Sequence, residues 1–283
     1  MAIYPFLEIT RPVNSVVAGL AAVLGYLIAT GTVTSGALIL LPIVAFITAA
    51  GNVINDYYDA EIDRVNRPDR PIPSGRVSQE GAKRYAIALF IIGNALCLFT
   101  NPLSNPYCLS IAVINSLILV WYARHLKKAP GEGNLAVAYL TGSIFLFGGA
   151  FVGPEGLVRN FIVFAVTLLA TMARELWKAA EDVEGDLIGG ALTIPVQLGV
   201  RTTGWLAFGF AIAAVVVSLL PIGDWTGLVY RAGILPVDGA ILFSSVISLR
   251  CDSGDCVRRN RTTWFLKLSM FAALGVFSIA AIY

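Results

Sequence analysis

The chain has 283 residues, of which 57% are hydrophobic and only 13% charged, and its mean hydropathy is +0.76. Soluble domains run at roughly 45–50% apolar and about 25% charged, so a soluble globular protein is excluded. Lys and Arg total 20 against 18 Asp and Glu, a net charge of +2, which gives no electrostatic reason to expect nucleic acid as a partner.

A membrane-crossing helix needs about 20 mostly apolar residues. In chain order the sequence predicts such helices at 12–31, 36–54, 84–101, 106–123, 134–152, 158–178, 203–222, 232–249 and 262–283. The expected fold class is therefore all-α, a polytopic membrane protein of nine transmembrane helices forming one body over 1–283. Gly31, Asn101-Pro102, Gly153-Pro154 and Pro221 with Gly223 punctuate the runs, because Pro lacks the backbone N–H and Gly frees the chain. The first run is expected to be a full span and not a cleaved leader, since Arg11 and Pro12 precede it and no small-residue cleavage pattern follows.

Alternate ends of these spans differ in charge. Eighteen of the 20 basic residues fall on the side holding Arg11 and the loops after spans 2, 4, 6 and 8, and only Arg159 and Arg231 fall opposite. Cationic loops stay in the cytoplasm, so the N-terminus and those loops are expected there, in a cell membrane, with the C-terminus outside. Cys97 and Cys108 lie in apolar runs and Cys251 and Cys256 in a polar loop. Their spacing lacks the close pairs of a zinc site or a stapled secreted domain, so structural or incidental thiols are expected.

Span 2 ends in Asn55-Asp56-Tyr57-Tyr58-Asp59-Ala60-Glu61-Ile62-Asp63. If the helix continues, Asn55, Asp59 and Asp63 recur every four residues and line one face, each about 6 Å further along. Asp56, turned about 100° from Asn55, is expected to matter less. Span 6 repeats the device with Lys178, Asp182 and Asp186, near Glu175, Glu181 and Glu184. Both acidic runs are followed by Gly and Pro. Like charges at this spacing destabilise a helix on their own, which suggests a cation between them.

Carboxylate and amide oxygens without His or Cys suit a hard ion, and Mg²⁺ is usually held by a few carboxylates together with water and substrate phosphates. A phosphate-bearing ligand is therefore implied. The loop Arg67-Pro68-Asp69-Arg70-Pro71-Ile72-Pro73-Ser74-Gly75-Arg76 supplies matching planar donors on a Pro-stiffened backbone, and Tyr122 and Lys127 add a hydroxyl and a point charge at the end of span 4. Asp252 and Asp255 read as a polar turn, and His125, the only histidine, as an interfacial residue.

With these residues in hand, the chain resembles the UbiA-type intramembrane prenyltransferase superfamily. An N-x-x-x-D-x-x-x-D signature falls on Asn55, Asp59 and Asp63, and a D-x-x-x-D signature on Asp182 and Asp186. Residues 66–75 most resemble the branch that makes archaeal digeranylgeranylglyceryl phosphate. One departure is plain: a Y-x-x-x-K pattern from Tyr122 would need Lys at 126, which is Leu126, so the role passes to Lys127 or Lys128.

The resemblance implies a nine-span fold with both signatures facing a cavity. It implies two Mg²⁺ ions on Asn55, Asp59, Asp63, Asp182 and Asp186, and a diphosphate leaving group stabilised by Arg67, Arg70, Tyr122, Lys127 and Lys178. The expected reaction is transfer of a geranylgeranyl group from its diphosphate to the sn-2 hydroxyl of geranylgeranylglyceryl phosphate, both partners being drawn from or near membrane lipid. Arg11, Asn14, Lys128 and Arg174 are expected at the acceptor's phosphate. Two alternatives stay open: an aromatic acceptor within the same family, and, from another class, an ion-coupled transporter, since intramembrane charges also mark ion pathways. Nothing in the sequence fixes the oligomeric state.

Overall fold

The computed structural model describes residues 4–220 and 227–282, with the side chain of Lys128 outside that set. Its helices are α1 Tyr4–Ile9, α2 Pro12–Thr30, α3 Leu40–Tyr58, α4 Ala60–Asn66, α5 Gln79–Leu96, α6 Tyr107–Arg124 and α7 Glu132–Ala150. They continue as α8 Pro154–Glu181, α9 Val183–Ile188, α10 Ile194–Leu198, α11 Val200–Ser218, α12 Leu228–Val246, α13 Gly254–Arg259 and α14 Thr262–Ile282. Among the described residues nine helices are long and apolar enough to cross a membrane, one for each predicted span.

The turn residues act as their chemistry requires. Gly31 takes a left-handed φ of 73° and its N–H returns to the Leu27 carbonyl, the usual glycine stop. Asn101 at φ 53° ends the third span, and Gly153 at φ 111° precedes Pro154, the first residue of α8. Ser78 caps α5, its side chain accepting from the Gly81 N–H, so this helix begins earlier than the apolar run predicts. Pro221 and Gly223, expected to end span 7, and Tyr283 lie outside the described residues.

The chain divides into two compact units, one of residues 1–125 and 144–157, the other of 126–143 and 158–283. In the first, α3 packs against α2, α5 and α6. Small residues make this possible: a Cβ on Gly93 would stand 2.7 Å from Ile47 Cγ1, and one on Gly51 would stand 2.8 Å from Leu119 Cδ2. Inside a bilayer, association rests on such close packing because lipid is as apolar as the helices. One buried cluster, including Val53, Ile54, Ala60, Ile72, Val77 and Ala86, lies under the loop after α4.

In the second unit α12 packs on α14 and α11. Gly204 leaves room for the fully buried Trp177, whose Nε1 donates to Ser245 Oγ at 3.3 Å. Ser218 and Asp238, buried here, pair with each other, since a membrane interior penalises an unmet polar group: Ser218 Oγ donates to Asp238 Oδ2 at 2.8 Å and Tyr230 donates to the Ser218 carbonyl at 2.6 Å. The expectation of four thiols is corrected. Cys251 and Cys256 form a disulfide, Cα–Cα 5.5 Å, because a turn and the start of α13 fold the chain back within five residues; Cys97 and Cys108 are free and buried.

Candidate functional site

The first acidic segment keeps the four-residue register that the sequence implies, although α3 formally ends at Tyr58. Asp59 sits at φ −84°, ψ −2°, close enough to helical that its N–H still bonds the Asn55 carbonyl, and Asp63 bonds Asp59 and Arg67 bonds Asp63 in the same i to i−4 manner. Asn55, Asp59 and Asp63 therefore remain in line. Asn55 Nδ2 donates to Asp59 Oδ2 at 2.9 Å, and Asp59 and Asp63 are 7% and 6% exposed.

Asp56, expected from its angular offset to matter less, is tied to this group by ion pairs. It is 5% exposed. Its Oδ1 accepts from Arg11 Nη2 at 2.7 Å and from Arg70 Nη1 at 3.4 Å, while Arg70 Nη1 also reaches Asp63 Oδ2 at 2.5 Å. Buried carboxylates need such pairing, and two of them here, Asp56 and Asp63, share the guanidinium groups of Arg11 and Arg70. Arg11 holds its place through a left-handed backbone, φ 50°, and Asn52 Nδ2 and Ser15 Oγ fix the neighbouring Thr10 carbonyl at 3.0 and 2.9 Å. Only the offset of about 100° around the helix is visible in the sequence; the arginines that meet Asp56 are 45 and 14 residues away.

Of the predicted phosphate-binding cations in this unit, Arg11 and Arg70 are thus joined to carboxylates. Arg67 is exposed and forms no ion pair among the described residues. Tyr122 is half-buried near the end of α6, and Asn14 is exposed in the first turn of α2. The Arg-rich loop is anchored by burying Ile72 and Val77 and by a clamp, Arg76 to Glu8, with contacts of 2.6 and 3.1 Å. Hydrogen bonding to Arg76, more than its charge, holds the Glu8 carboxyl below the usual carboxylate range.

The second acidic segment is built alike in backbone and differently in setting. Asp182, at φ −97°, ψ 3°, separates α8 from α9, and its N–H bonds the Lys178 carbonyl while that of Asp186 bonds Asp182. Lys178, Asp182 and Asp186 keep their register, but α9 buries none of its residues. Asp182 is exposed as a residue, yet neighbouring chain crowds water from its carboxyl and pushes its pKa above the usual range; Lys178 and Arg258 oppose the shift and Asp186 adds to it. Lys127 is exposed in a 3-10 turn. Arg174 Nη2 pairs with the adjacent Glu175 at 3.1 Å.

Among the described residues no three His, Cys, Asp or Glu side chains converge on a point that a metal could occupy, so neither segment forms a closed cage. That donor set fits Mg²⁺, which is commonly held by one or two carboxylates with water and substrate phosphates completing the shell. All the candidate ligands are oxygens, and the buried pair Asp59 and Asp63 gives a charge that a hard cation would match.

Comparisons with known proteins bear on the fold and the family. Residues 15–275 match the UbiA prenyltransferase family. The chain is 58% identical over 282 residues to the digeranylgeranylglyceryl phosphate synthase of Methanoculleus marisnigri, with the whole of both chains covered. A solved structure reported for digeranylgeranylglyceryl phosphate synthase in membranes superposes with a TM-score of 0.87 at 35% identity, covering 99% of this chain and 98% of that one. A UbiA homologue from Archaeoglobus fulgidus bound to GPP and Mg²⁺ shares the fold, with a TM-score of 0.65 at 18% identity over 97% and 99% of the two chains.

Proposed function

We infer the reaction from the premise that this chain belongs to the UbiA prenyltransferase family: it transfers a geranylgeranyl group from geranylgeranyl diphosphate to the sn-2 hydroxyl of geranylgeranylglyceryl phosphate. The observation that carries this reading is the full-length 58% identity to an enzyme named for that product. Family membership sets aside the ion-coupled transporter. The chain is an integral membrane enzyme, and the excess of Lys and Arg on one side supports a cytoplasmic N-terminus and cytoplasmic acidic segments, with the C-terminus outside.

In the reaction the bond between C1 of the prenyl chain and the diphosphate oxygen breaks, the sn-2 oxygen bonds C1, and the hydroxyl proton leaves. Asn55, Asp59 and Asp63 in one unit and Asp182 and Asp186 in the other are the residues that would hold Mg²⁺. When bound, Mg²⁺ neutralises charge on the departing diphosphate. Arg67, exposed and without a carboxylate partner, is suited to grip a phosphate oxygen pair, and Lys178 and Lys127 add positive charge; Tyr122 can donate its hydroxyl. Asp56 holds Arg70 and Arg11, so that positive charge stays beside the first segment. The apolar helices keep bulk water from an allylic cation until the acceptor attacks. Lys128, Arg174, Arg11 and Asn14 are candidates for the acceptor's phosphate.

A product assay tests the reading. Purified enzyme with Mg²⁺, geranylgeranyl diphosphate and geranylgeranylglyceryl phosphate should release inorganic diphosphate and one equivalent of ether-linked product by mass spectrometry. Prenylation of a hydroxybenzoate or naphthoate, with the glyceryl phosphate ignored, would overturn the acceptor and leave the family intact.

A further inference from the structure

The segment running from the end of α12 through α13 into α14 takes no part in the reaction as described, yet it meets the second acidic segment at three residues, Gly254, Arg258 and Thr263. The Cys251–Cys256 disulfide closes a loop within it. Within that ring the Gly254 N–H donates to Glu184 Oε1 at 2.8 Å. Just beyond it, Arg258 Nη2 donates to the Glu181 carbonyl at 2.8 Å, and Thr263 Oγ1 lies 2.9 and 3.0 Å from the two Glu181 carboxylate oxygens. Glu181 and Glu184 flank Asp182, and Glu184 stands two residues before Asp186.

The approach leaves no slack. A Cβ on Gly254 would lie 2.8 Å from the Glu181 carbonyl oxygen and 3.0 Å from that of Ala180, and it would collide with Glu184 Oε2. The loop itself is well seated: Cys251 is 2% exposed and Val257 is fully buried, and Asn260 Nδ2 donates to the Ile247 carbonyl and Ser248 Oγ, both at 2.9 Å. The segment it grips is the reverse, since α9 buries no residue of its own. A helix without a buried face is fixed by its tethers and not by packing.

We propose that the disulfide-closed loop 251–256 is a positioning element for the second acidic segment, which it holds through the Gly254–Glu184 hydrogen bond, and that opening the disulfide releases that hold. The inference rests on reading Asp182 and Asp186 as Mg²⁺ ligands. Reduction converts the disulfide to two thiols with two electrons and two protons from a dithiol, which is itself oxidised to a disulfide. On the side assigned to the cytoplasm, disulfides are characteristically transient or redox-sensing, so the loop makes metal binding responsive to the thiol pool. Residues that orient metal ligands without touching the metal change affinity by about 10- to 100-fold when removed.

The test is Mn²⁺ binding to the full-length enzyme, followed by electron paramagnetic resonance in the presence of inorganic diphosphate, without turnover. Glu184→Ala should weaken binding about tenfold, and Glu184→Gln should retain wild-type affinity because its amide oxygen still accepts from Gly254. Wild-type enzyme reduced with dithiothreitol and desalted anaerobically should show the same loss, and Cys251→Ser/Cys256→Ser should show it with or without reductant. Unchanged affinity in Glu184→Ala or in the reduced enzyme overturns the proposal. So does a Gln variant as weak as the Ala variant, or four free thiols in the enzyme as purified. Asp182→Ala separates the two layers: if it binds Mn²⁺ normally, the ligand assignment falls and the positioning role with it, whereas if only Glu184→Ala is silent, the positioning role falls alone.

Discussion

Asp59 and Asp182 occupy the same backbone conformation, φ −84°, ψ −2° and φ −97°, ψ 3°, each at the point where a long membrane helix gives way to a short one. In both places the i to i−4 hydrogen bonds continue across the break, so each aspartate stays in register with the one four residues on. Activity should therefore depend on all four aspartates. Asp59→Ala, Asp63→Ala, Asp182→Ala and Asp186→Ala should each lower kcat by at least about 100-fold, the scale of losing a preorganised electrostatic partner, with helical circular dichroism unchanged. EDTA should abolish turnover and Mg²⁺ restore it; full activity in EDTA would refute the ligand assignment.

Asp56 should prove as important as its neighbours. Removing one member of a buried ion pair costs about 3–5 kcal/mol, and since Arg11 is more than a third exposed, the effect of Asp56→Ala belongs near the low end, about 3 kcal/mol or less. Thermal unfolding in detergent should shift down, and activity should fall at least about tenfold as Arg70 loses one of its two anchors. Asp56→Asn, which keeps the acceptor oxygen and loses the charge, should lie between. A wild-type melting curve for Asp56→Ala would sink this role.

Arg67 and Arg70 should separate by their partners. Arg67→Lys loses the planar fork offered to phosphate, so KM for the prenyl diphosphate should rise about fivefold, roughly 1 kcal/mol, with thermal stability unaltered. Arg70→Lys cannot span Asp56 and Asp63 in the same way and should lower stability as well. Steady-state kinetics beside melting curves for the two variants decide the matter; identical profiles would contradict it.

Packing beside the second segment should be equally sensitive. A Cβ at Gly204 would stand 2.6 Å from Trp177 Cη2, whereas one at Gly209 meets nothing within 4 Å. Overpacking costs about 1–3 kcal/mol, so Gly204→Ala should melt earlier and Gly209→Ala should not. Because Trp177 immediately precedes Lys178, kcat should fall in the first variant only. Adding Trp177→Phe should recover part of the stability, and no recovery would place the strain elsewhere.

What the sequence by itself determined was everything governed by local regularity. Nine spans follow from run length and hydropathy, because a helix that satisfies its own backbone is the solution available to an apolar stretch in lipid. The registers of Asn55, Asp59 and Asp63 and of Asp182 and Asp186 follow from the turn of the helix and survive a break at each first aspartate. Tertiary structure decided the rest, since those links join residues far apart in the chain: Arg11 to Asp56 and Gly254 to Glu184. The ion pairs of Asp56 are not legible in the sequence because helical spacing reports which face a residue occupies, and not what charge is brought up to that face. The closure of Cys251 on Cys256 likewise depended on a turn whose geometry spacing alone does not reveal. Four-residue periodicity is a property of one helix, while an ion pair is a property of two segments that only folding brings together.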